Sequence, residues 1–374
     1  MNILEIVFSS AWGGLEMQAC RIAESLSRRD HDITVAAPEK SKIITTCRDS
    51  GLKTIGMKPL LKYLDIITAV KISRLIKQNK IDIIHCHMSK DLSTLVLAKK
   101  FAGRGKIVFT QHMDSRYKKK DIFHKWVYKR IDNIAAVTKG MSQNIFDHTP
   151  ANINQIKYIY NGIDIKQYQP VKEKTIYSEY FIPENAHIVG IVARLDRLKK
   201  QELLVEAAGG VLKEFPETYF MIVGEETPSK TGEGYRKILI NKIKQRNLEK
   251  NFRVIGFIED VRPVLGSLDI SVLTTPKETF GLVLIESMAM RVPAIGTDNG
   301  GVPEIIEDGV NGFLFEPDNS AELAEKIIKI LGDDNLRKQM GKNGQKIVNE
   351  KFDIDKKITE YERLFADLMI KDIG

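Results

Sequence analysis

Short apolar runs alternate with helical stretches along this 374-residue chain. In the first half, strands are predicted at residues 1–9, 32–36, 53–55, 81–84, 106–110 and 133–137, with helices at 15–28, 63–78 and 91–101. In the second half, strands are predicted at residues 188–193, 219–223, 253–255, 270–273 and from 294, with helices at 201–215 and 235–247. Alternation of this kind favours parallel sheets covered by helices on both faces, so we expect an α/β fold with two doubly wound sheets.

The chain length also suits two domains. The turn Tyr160-Asn161-Gly162-Ile163-Asp164 closes the first half, and the polar stretch that follows, to residue 184, predicts a linker. We therefore expect domains at 1–168 and 169–350. A periodic apolar stripe over 354–370 predicts a final helix docked across the body of the protein.

Composition argues against several classes of protein. Hydrophobic residues make up 43% and charged residues 28%, as in a soluble globular protein. Apolar runs stay well short of the roughly 20 residues of a membrane span, and the first ten residues are interrupted too soon for a signal peptide. Cys20, Cys47 and Cys86 are not clustered, unlike a disulfide framework or a zinc site, so we expect a reducing, cytoplasmic compartment.

The formal net charge of +8 favours anionic partners. Residues 116–130, RYKKKDIFHKWVYKR, hold seven Lys or Arg against one Asp, interleaved with Tyr117, Ile122, Phe123, Trp126, Val127 and Tyr128. This segment is either an ordinary solvated helix or a patch that meets anionic lipid. A nucleic-acid-binding module is disfavoured, because the chain carries no recognisable nucleic-acid motif.

Residues 277–307 place two glutamates around a predicted helix start. Glu278 precedes that start, and Glu286 falls in the second turn of the helix. Backbone amides at a helix start bind phosphate, and here they belong to Phe280, Gly281 and Leu282. Carboxylates on either side suit the hydroxyl-bearing rings of a nucleotide sugar. Alternatively, glutamates at this spacing reflect only the helix dipole and a solvated face.

Other polar residues follow predicted strands, where ligands of parallel sheets bind. Gly13-Gly14 form a strand-to-helix turn that is not a GxGxxG fingerprint. His85 and His87 share a strand face, but no nearby carboxylate or third His completes a ligand set, so we predict no metal. His112 either caps a loop or contacts a substrate. Arg194 and Lys199 are either solvated charges or ligands of a diphosphate.

As an ordered set, these motifs resemble the retaining glycosyltransferases of family 4. The resemblance spans nearly the whole chain and rests on Gly13-Gly14-Leu15-Glu16, residues 81–87, the turn at 160–164, the segment 194–199, Glu278-x7-Glu286 and Gly300-Gly301-Val302-Pro303-Glu304. It implies the GT-B fold: two facing Rossmann-like domains, with 1–168 on the acceptor side, 169–350 binding the donor, and a C-terminal helix at 351–374 that crosses back to the N-terminal domain.

The resemblance also implies a role for each matching residue. Arg194 and Lys199 would hold the donor diphosphate, aided by amides around Gly281 and Leu282. Glu286 would bind the ribose and Glu278 the transferred sugar, with His112 near that sugar. Gly13 and Gly14 would let the backbone approach the donor phosphate and the acceptor. The family often has Gly after the phosphate lysine, where this chain has Lys200.

The implied activity is transfer of a sugar, with retention of configuration, from a UDP- or GDP-sugar to a glycan or lipid-linked acceptor. Cationic side chains would replace a metal ion, so neither a metal nor a cofactor is expected. The implied setting is bacterial surface polysaccharide assembly (lipopolysaccharide, capsule or O-antigen), in the cytoplasm or on the inner face of the membrane. A GT-B sugar-nucleotide epimerase or a phosphorylase is the alternative.

Overall fold

A computed structural model of the chain describes residues 1–115, 117–170, 174–227 and 229–370. It divides into two compact units. Unit 1 comprises Met1–Ile163 together with the segment from Asp353 onward, and unit 2 comprises Asp164–Phe352. The first division thus precedes the predicted boundary at 168, because Tyr168 is buried in unit 2, where it donates a hydrogen bond to Glu286.

The described residues of unit 1 form a seven-stranded parallel sheet of order β3-β2-β1-β4-β5-β6-β7. The strands are β1 (Asn2–Ile6), β2 (Asp32–Ala37), β3 (Lys53–Gly56), β4 (Ile83–Cys86), β5 (Lys106–Gln111), β6 (Asn133–Ala136) and β7 (Ile156–Tyr158). The helices are α1 (Gly14–Ser27), α2 (Lys42–Asp49), α3 (Ile66–Gln78), α4 (Leu92–Ala102), α5 (Ile122–Tyr128) and α6 (Lys139–His148). The strand order reverses between β1 and β4, the position at which parallel sheets bind ligands.

The final helix, which we number α14 (Ile354–Ile370), belongs to unit 1. Its buried face, which includes Ile354, Ile358 and Phe365, joins the core formed by β1, β2 and α1. The turn at Gly162 allows this approach, because a Cβ there would lie 2.9 Å from the Cα of Ile354. The Asn-Gly turn therefore marks the place where the last helix packs.

The described residues of unit 2 form a six-stranded parallel sheet of order β10-β9-β8-β11-β12-β13. The strands are β8 (His187–Val192), β9 (Thr218–Val223), β10 (Phe252–Ile255), β11 (Ile270–Leu273), β12 (Ala294–Thr297) and β13 (Gly312–Phe315). The helices are α7 (Lys174–Glu179), α8 (Glu202–Glu214), α9 (Tyr235–Gln245), α10 (Arg262–Ser267), α11 (Leu282–Ala289), α12 (Ser320–Leu331) and α13 (Asp334–Lys351). The predicted pair of doubly wound parallel sheets is confirmed.

One region differs from the sequence-based expectation. The predicted linker contains α7 in place of a continuous loop, and its residues 171–173 lie outside the described residues. Residues 371–374 and Arg116 of the basic segment also lie outside them. Within the described part of the chain, no helix has the length and apolar character needed to cross a membrane.

Candidate functional site

An ion pair joins two of the predicted site residues within unit 2. Lys199 ends a 3₁₀ turn (Arg197–Lys199) that Asp196 caps by accepting from the Leu198 amide. Its Nζ donates to Oε2 of Glu278 at 2.6 Å. The two side chains are 23% and 18% exposed, so the pair lies near the surface and is still accessible to a ligand. Residues that are 79 positions apart in the sequence therefore form one contact.

A glycine loop fixes the backbone of Glu278. The Gly301 amide donates to the Glu278 carbonyl at 2.8 Å, and Glu278 and Gly300 form a parallel bridge. Gly300 has φ +64°, and a Cβ on it would lie 2.1 Å from the same carbonyl oxygen. Only glycine fits here, because the backbone is left-handed and the approach is too close for a side chain.

The helix predicted after Glu278 is α11, and it begins at Leu282. Gly281 precedes it with φ +100° and offers no side chain to cap the first amides. Phe280 lies before the helix, buried edge-on against Phe352. The predicted helix start is thus present, although its first residue is Leu282 where we expected Phe280, and phosphate binding by its amides stays a prediction.

Glu286 lies in the second turn of α11 and is only 6% exposed. Tyr168 donates its hydroxyl to Oε1 of Glu286 at 3.0 Å. Tyr168 was not among the predicted site residues, because it lies in the polar stretch predicted to be a linker. The one available signal was an aromatic residue beside a polar stretch, and that pattern does not indicate which carboxylate the tyrosine contacts.

Arg194 is exposed and does not take part in the Lys199–Glu278 contact. Its carbonyl accepts from Gln201 Nε2 at 2.8 Å, and its guanidinium forms no ion pair with the described residues. Lys200 has φ +54° and ψ +37°, a left-handed conformation that glycine adopts without strain. Its Nζ lies 3.1 Å from Asp318. The family's preference for glycine after the phosphate lysine therefore has a backbone reason.

In unit 1, the predicted glycine loop precedes α1. Gly13 is extended and Gly14 is the first residue of the helix. Ser9 donates to Glu16 in the first turn at 2.6 Å, and both side chains are buried. This bond ties the loop after β1 to the helix and fixes the position of the Gly13-Gly14 backbone.

The expectation that His85 and His87 have no nearby carboxylate or third histidine is wrong. Glu5 on β1 is the register partner of His85 on β4. Its Oε1 lies 3.0 Å from Nδ1 of His85, and its Oε2 lies 2.9 Å from Nε2 of His87. Nδ1 of His87 lies 3.0 Å from Nε2 of His112. The residues meet because β1, β4 and β5 are neighbours in the sheet.

This cluster continues on the other side of Glu5. Nε2 of His85 lies 2.7 Å from Oγ1 of Thr110, which lies 3.0 Å from the hydroxyl of Tyr361. We call these six residues the histidine network: Glu5, His85, His87, Thr110, His112 and Tyr361. Among the described residues, Glu5, His85 and His87 are also the one group of three metal-type donors, with ligating atoms within 4.8 Å of one another. A metal ion could bind them only by displacing their hydrogen bonds.

Burial sets the charges in the network. It opposes ionisation of Glu5, but the charge on His85 and hydrogen bonds from both histidines outweigh it and lower the Glu5 pKa to about 2. Burial also lowers the pKa of His87, and it lowers that of His112 well below its usual value. Neutral imidazoles at His87 and His112 are therefore connected to an ionised carboxylate at Glu5.

Two family profiles match the two halves of the chain. The profile described as Glycosyltransferase Family 4 matches residues 12–167, and that described as Glycosyl transferases group 1 matches residues 172–347. N-acetyl-alpha-D-glucosaminyl L-malate synthase of Bacillus anthracis is 26% identical, over 96% of this chain and 95% of its own length. The UDP-Gal:alpha-D-GlcNAc-diphosphoundecaprenol alpha-1,3-galactosyltransferase of Escherichia coli is 24% identical, over 99% and 98%.

The fold is also similar to that of solved structures. Anabaena Alr3699/HepE in complex with UDP-glucose superposes with a TM-score of 0.85 at 23% identity, covering 97% of this chain and 99% of that one. Likeness at this identity shows the fold, and the profiles show the family. The chain belongs to glycosyltransferase family 4 and is a glycosyltransferase with the GT-B fold.

Proposed function

We propose that this protein transfers a sugar from a nucleoside diphosphate sugar to a glycan or lipid-linked acceptor, with retention of anomeric configuration. The Lys199–Glu278 ion pair carries the proposal, because it joins a cation of a type that binds phosphate to a carboxylate of a type that binds sugar hydroxyls. The names of the relatives support it. The Anabaena protein binds UDP-glucose, and the name of the Escherichia coli enzyme states a UDP-sugar and a diphosphoundecaprenol-linked substrate.

In this proposal, each residue acts on one part of the donor. Lys199 and Arg194 bind the diphosphate, together with the amides of Gly281 and Leu282 at the start of α11. Glu278 binds hydroxyls of the transferred sugar, and buried Glu286 accepts from the ribose. When the bond from the anomeric carbon to the diphosphate oxygen breaks, negative charge collects on the leaving diphosphate. Fixed cations and amides stabilise that charge most strongly where water is excluded.

The phosphate role of Lys199 is tested against its neighbour Lys200. Lys199→Ala removes a cation that is directed at the site, whereas Lys200→Ala removes one that pairs with Asp318. A charge-assisted hydrogen bond contributes about 1.5–3 kcal/mol, so calorimetric binding of UDP and GDP should weaken about tenfold to over a hundredfold in Lys199→Ala alone. Equal weakening in both variants would show a general charge effect and refute the assignment.

The separate roles of the two glutamates are tested by measuring the affinity for UDP or GDP without an attached sugar. Glu286→Ala should weaken binding of UDP or GDP, because the ribose hydroxyls lose their acceptor. Glu278→Gln should leave that affinity nearly intact while lowering turnover with the complete donor. If Glu286→Ala binds the nucleotide as tightly as the wild type, the ribose assignment is wrong.

The alternative activities differ in their need for an acceptor. An epimerase converts a UDP-sugar without one, and a phosphorylase requires inorganic phosphate. We propose transfer in bacterial surface polysaccharide assembly, supported by the lipid-linked substrate in the Escherichia coli enzyme's name. Release of UDP that depends on an added undecaprenyl-diphosphate sugar supports this, and conversion of the donor without acceptor supports the epimerase.

We also propose that unit 1 meets an anionic membrane surface, as a lipid-linked acceptor requires. The structure changes which residues of the 116–130 segment are available. Val127 and Tyr128 are buried in the core, whereas Tyr117 and Ile122 are exposed. Phe123 contacts Tyr63 edge-on at 6.2 Å, which connects α5 to the loop before α3.

That loop adds a larger apolar surface, which we call the 60–67 patch. Its exposed large residues are Leu60, Leu61, Tyr63, Leu64, Ile66 and Ile67. Buried Asp65 accepts from the amides of Leu61 and Thr68, so the loop is held with the leucines turned outward. Exposed Lys58, Lys62, Lys118 and Lys120 supply positive charge in the patch and in the segment before α5. Apolar side chains with nearby lysines are typical of surfaces that bind anionic lipid.

The membrane proposal is tested by co-sedimentation with vesicles at low salt. The protein should bind vesicles that contain phosphatidylglycerol and not vesicles of phosphatidylcholine alone. Leu60→Ser with Leu61→Ser should reduce this binding, whereas Phe181→Ser, at a residue of unit 2 that is 84% exposed, should not. Equally weak binding to both kinds of vesicle would refute the proposal.

A further inference from the structure

Three residues of the histidine network form an unbroken series of hydrogen bonds that ends at His112. We call Glu5, His87 and His112 the His112 arm. Glu5 and His87 are 0% and 2% exposed, and His112 is 9% exposed. The arm crosses the sheet from β1 to the ends of β4 and β5, at the switch in strand order. The series therefore leads from the core of unit 1 to the edge where a ligand of the sheet would bind.

The positions of the protons in the His112 arm follow from the ionised state of Glu5. Ionised Glu5 can only accept, so Nε2 of His87 carries the hydrogen that points at Oε2. Neutral His87 then has an unprotonated Nδ1, which accepts from Nε2–H of His112. Neutral His112 in turn has an unprotonated Nδ1. The opposite arrangement needs either a protonated Glu5 or a cationic His87, and the lowered pKa values of both groups oppose it.

We propose that Glu5 and His87 are positioning residues that hold His112 in the Nε2–H tautomer, so that its Nδ1 accepts a hydrogen bond from a sugar hydroxyl. That the ligand of Nδ1 is a sugar hydroxyl rests on the proposed function, whereas the tautomer of His112 rests only on the hydrogen bonds of the His112 arm. Among the described residues, no group hydrogen bonds to Nδ1 of His112, so that atom is available to a ligand. The hydrogen bond that one ring nitrogen of a histidine makes determines whether the other nitrogen carries a proton.

The remaining part of the network lies on the other side of Glu5, away from His87 and His112. Nδ1 of His85 points at Oε1, so the two carboxylate oxygens have separate imidazole partners. Thr110 and Tyr361 lie beyond His85, and we call these residues the Tyr361 arm. A change at Tyr361 perturbs the same buried network without touching the contacts of His87 or His112. Tyr361→Phe is therefore the matched control for a change at His87.

Nitrogen-15 NMR of the protein labelled at histidine tests the proposal without substrate. The wild type should show His112 as the Nε2–H tautomer, assigned by comparison with His112→Gln. His87→Leu removes the acceptor and should give a mixture of both tautomers. It should lower kcat on the order of tenfold, as expected for the weakening of one hydrogen bond to the substrate, with KM for the donor little changed. Tyr361→Phe should keep both the tautomer and kcat.

Several outcomes overturn the proposal. His112 could be the Nδ1–H tautomer in the wild type, a result that needs no folded variant. His87→Leu could keep the wild-type tautomer. One metal ion per protein that purifies with the wild type and is lost in His87→Leu would show that these residues ligate a metal and do not hydrogen bond to one another. A protein that shows the expected tautomer and transfers no sugar supports the arm and refutes the proposed function.

Discussion

The contact between Gly300 and Glu278 provides a test of how precisely this site is built. In Gly300→Ala, the new Cβ would lie 2.1 Å from the Glu278 carbonyl oxygen. Real Cβ atoms approach no closer than 3.0 Å, so the backbone at Glu278 must move by about 0.9 Å (3.0 − 2.1). Because that backbone carries a side chain proposed to hold the transferred sugar, the change acts on the site without altering any polar group.

Gly309→Ala is the matched control for this change. Gly309 also has positive φ, +77° against +64°, but a Cβ there has no atom within 4 Å. Both variants place alanine in the left-handed region, at a cost of roughly 1–2 kcal/mol each. Only Gly300→Ala also displaces the carbonyl that accepts from the Gly301 amide, a bond that contributes about 0.5–1.5 kcal/mol.

The expected results separate stability from activity. Urea unfolding should give a larger loss for Gly300→Ala than for Gly309→Ala, by about 1 kcal/mol. A misplacement of about 1 Å can lower the rate on the order of a hundredfold, so kcat should fall strongly in Gly300→Ala and little in Gly309→Ala. Affinity for bare UDP should stay the same in both. Equal kcat in the two variants would show that the position of Glu278 does not limit transfer.

Three further changes test other parts of the molecule. Lys200→Gly should raise the free energy of unfolding by about 0.5 kcal/mol, because relief of the left-handed backbone slightly exceeds the added chain entropy, and UDP affinity should not change. Tyr168→Phe removes the hydroxyl that holds Glu286 and should weaken UDP binding measured by calorimetry, though less than Glu286→Ala does. His112 has a lowered pKa, so the unfolded chain binds more protons below its ordinary value of 6.5 and stability falls as pH falls from 7 to 5. In urea titrations across that range, the free energy of unfolding should change less steeply with pH in His112→Gln than in the wild type, by at most about 1.4 kcal/mol per pH unit. An equally steep change with pH in the two proteins would contradict the burial of a neutral imidazole.

The sequence predicted the parallel sheets because apolar runs and helical stretches are local patterns. It gave no prediction for α12, α13 and β13. Helix α13 contains Gly341 and Gly344 in a charged sequence, a combination that argues against a helix. In the structure, Gly341 lets the helix approach the Arg291 carbonyl, where a Cβ would lie 2.2 Å from the oxygen. The packing partner explains these glycines, and a sequence alone does not identify that partner.

Contacts and positions within one stretch of sequence were predicted, whereas contacts between residues far apart in the sequence were not. Glu278, Glu286 and the helix start between them lie within one stretch, and the helix begins within two residues of the predicted position. Glu5 and His85 are 80 residues apart and meet only because β1 and β4 are neighbours in register. Strand order is not encoded in either segment, so the carboxylate beside the histidines could not be found before the sheet was known.

The Lys199–Glu278 ion pair also determines whether Glu278→Gln binds bare UDP more tightly or more weakly than the wild type. Before a donor binds, each partner stabilises the other's charge, and a diphosphate must compete with Glu278 for Lys199. A pair this accessible is worth about 0.2–1 kcal/mol, so its loss releases Lys199 at little cost. Glu278→Gln should therefore bind bare UDP as tightly as the wild type or up to about fivefold more tightly, as 1 kcal/mol corresponds to. The same variant should turn over the complete donor more slowly, because the sugar loses its carboxylate. Weaker binding of bare UDP in Glu278→Gln would mean that Glu278 holds Lys199 in place for the phosphate, and the two residues would then act as one phosphate site.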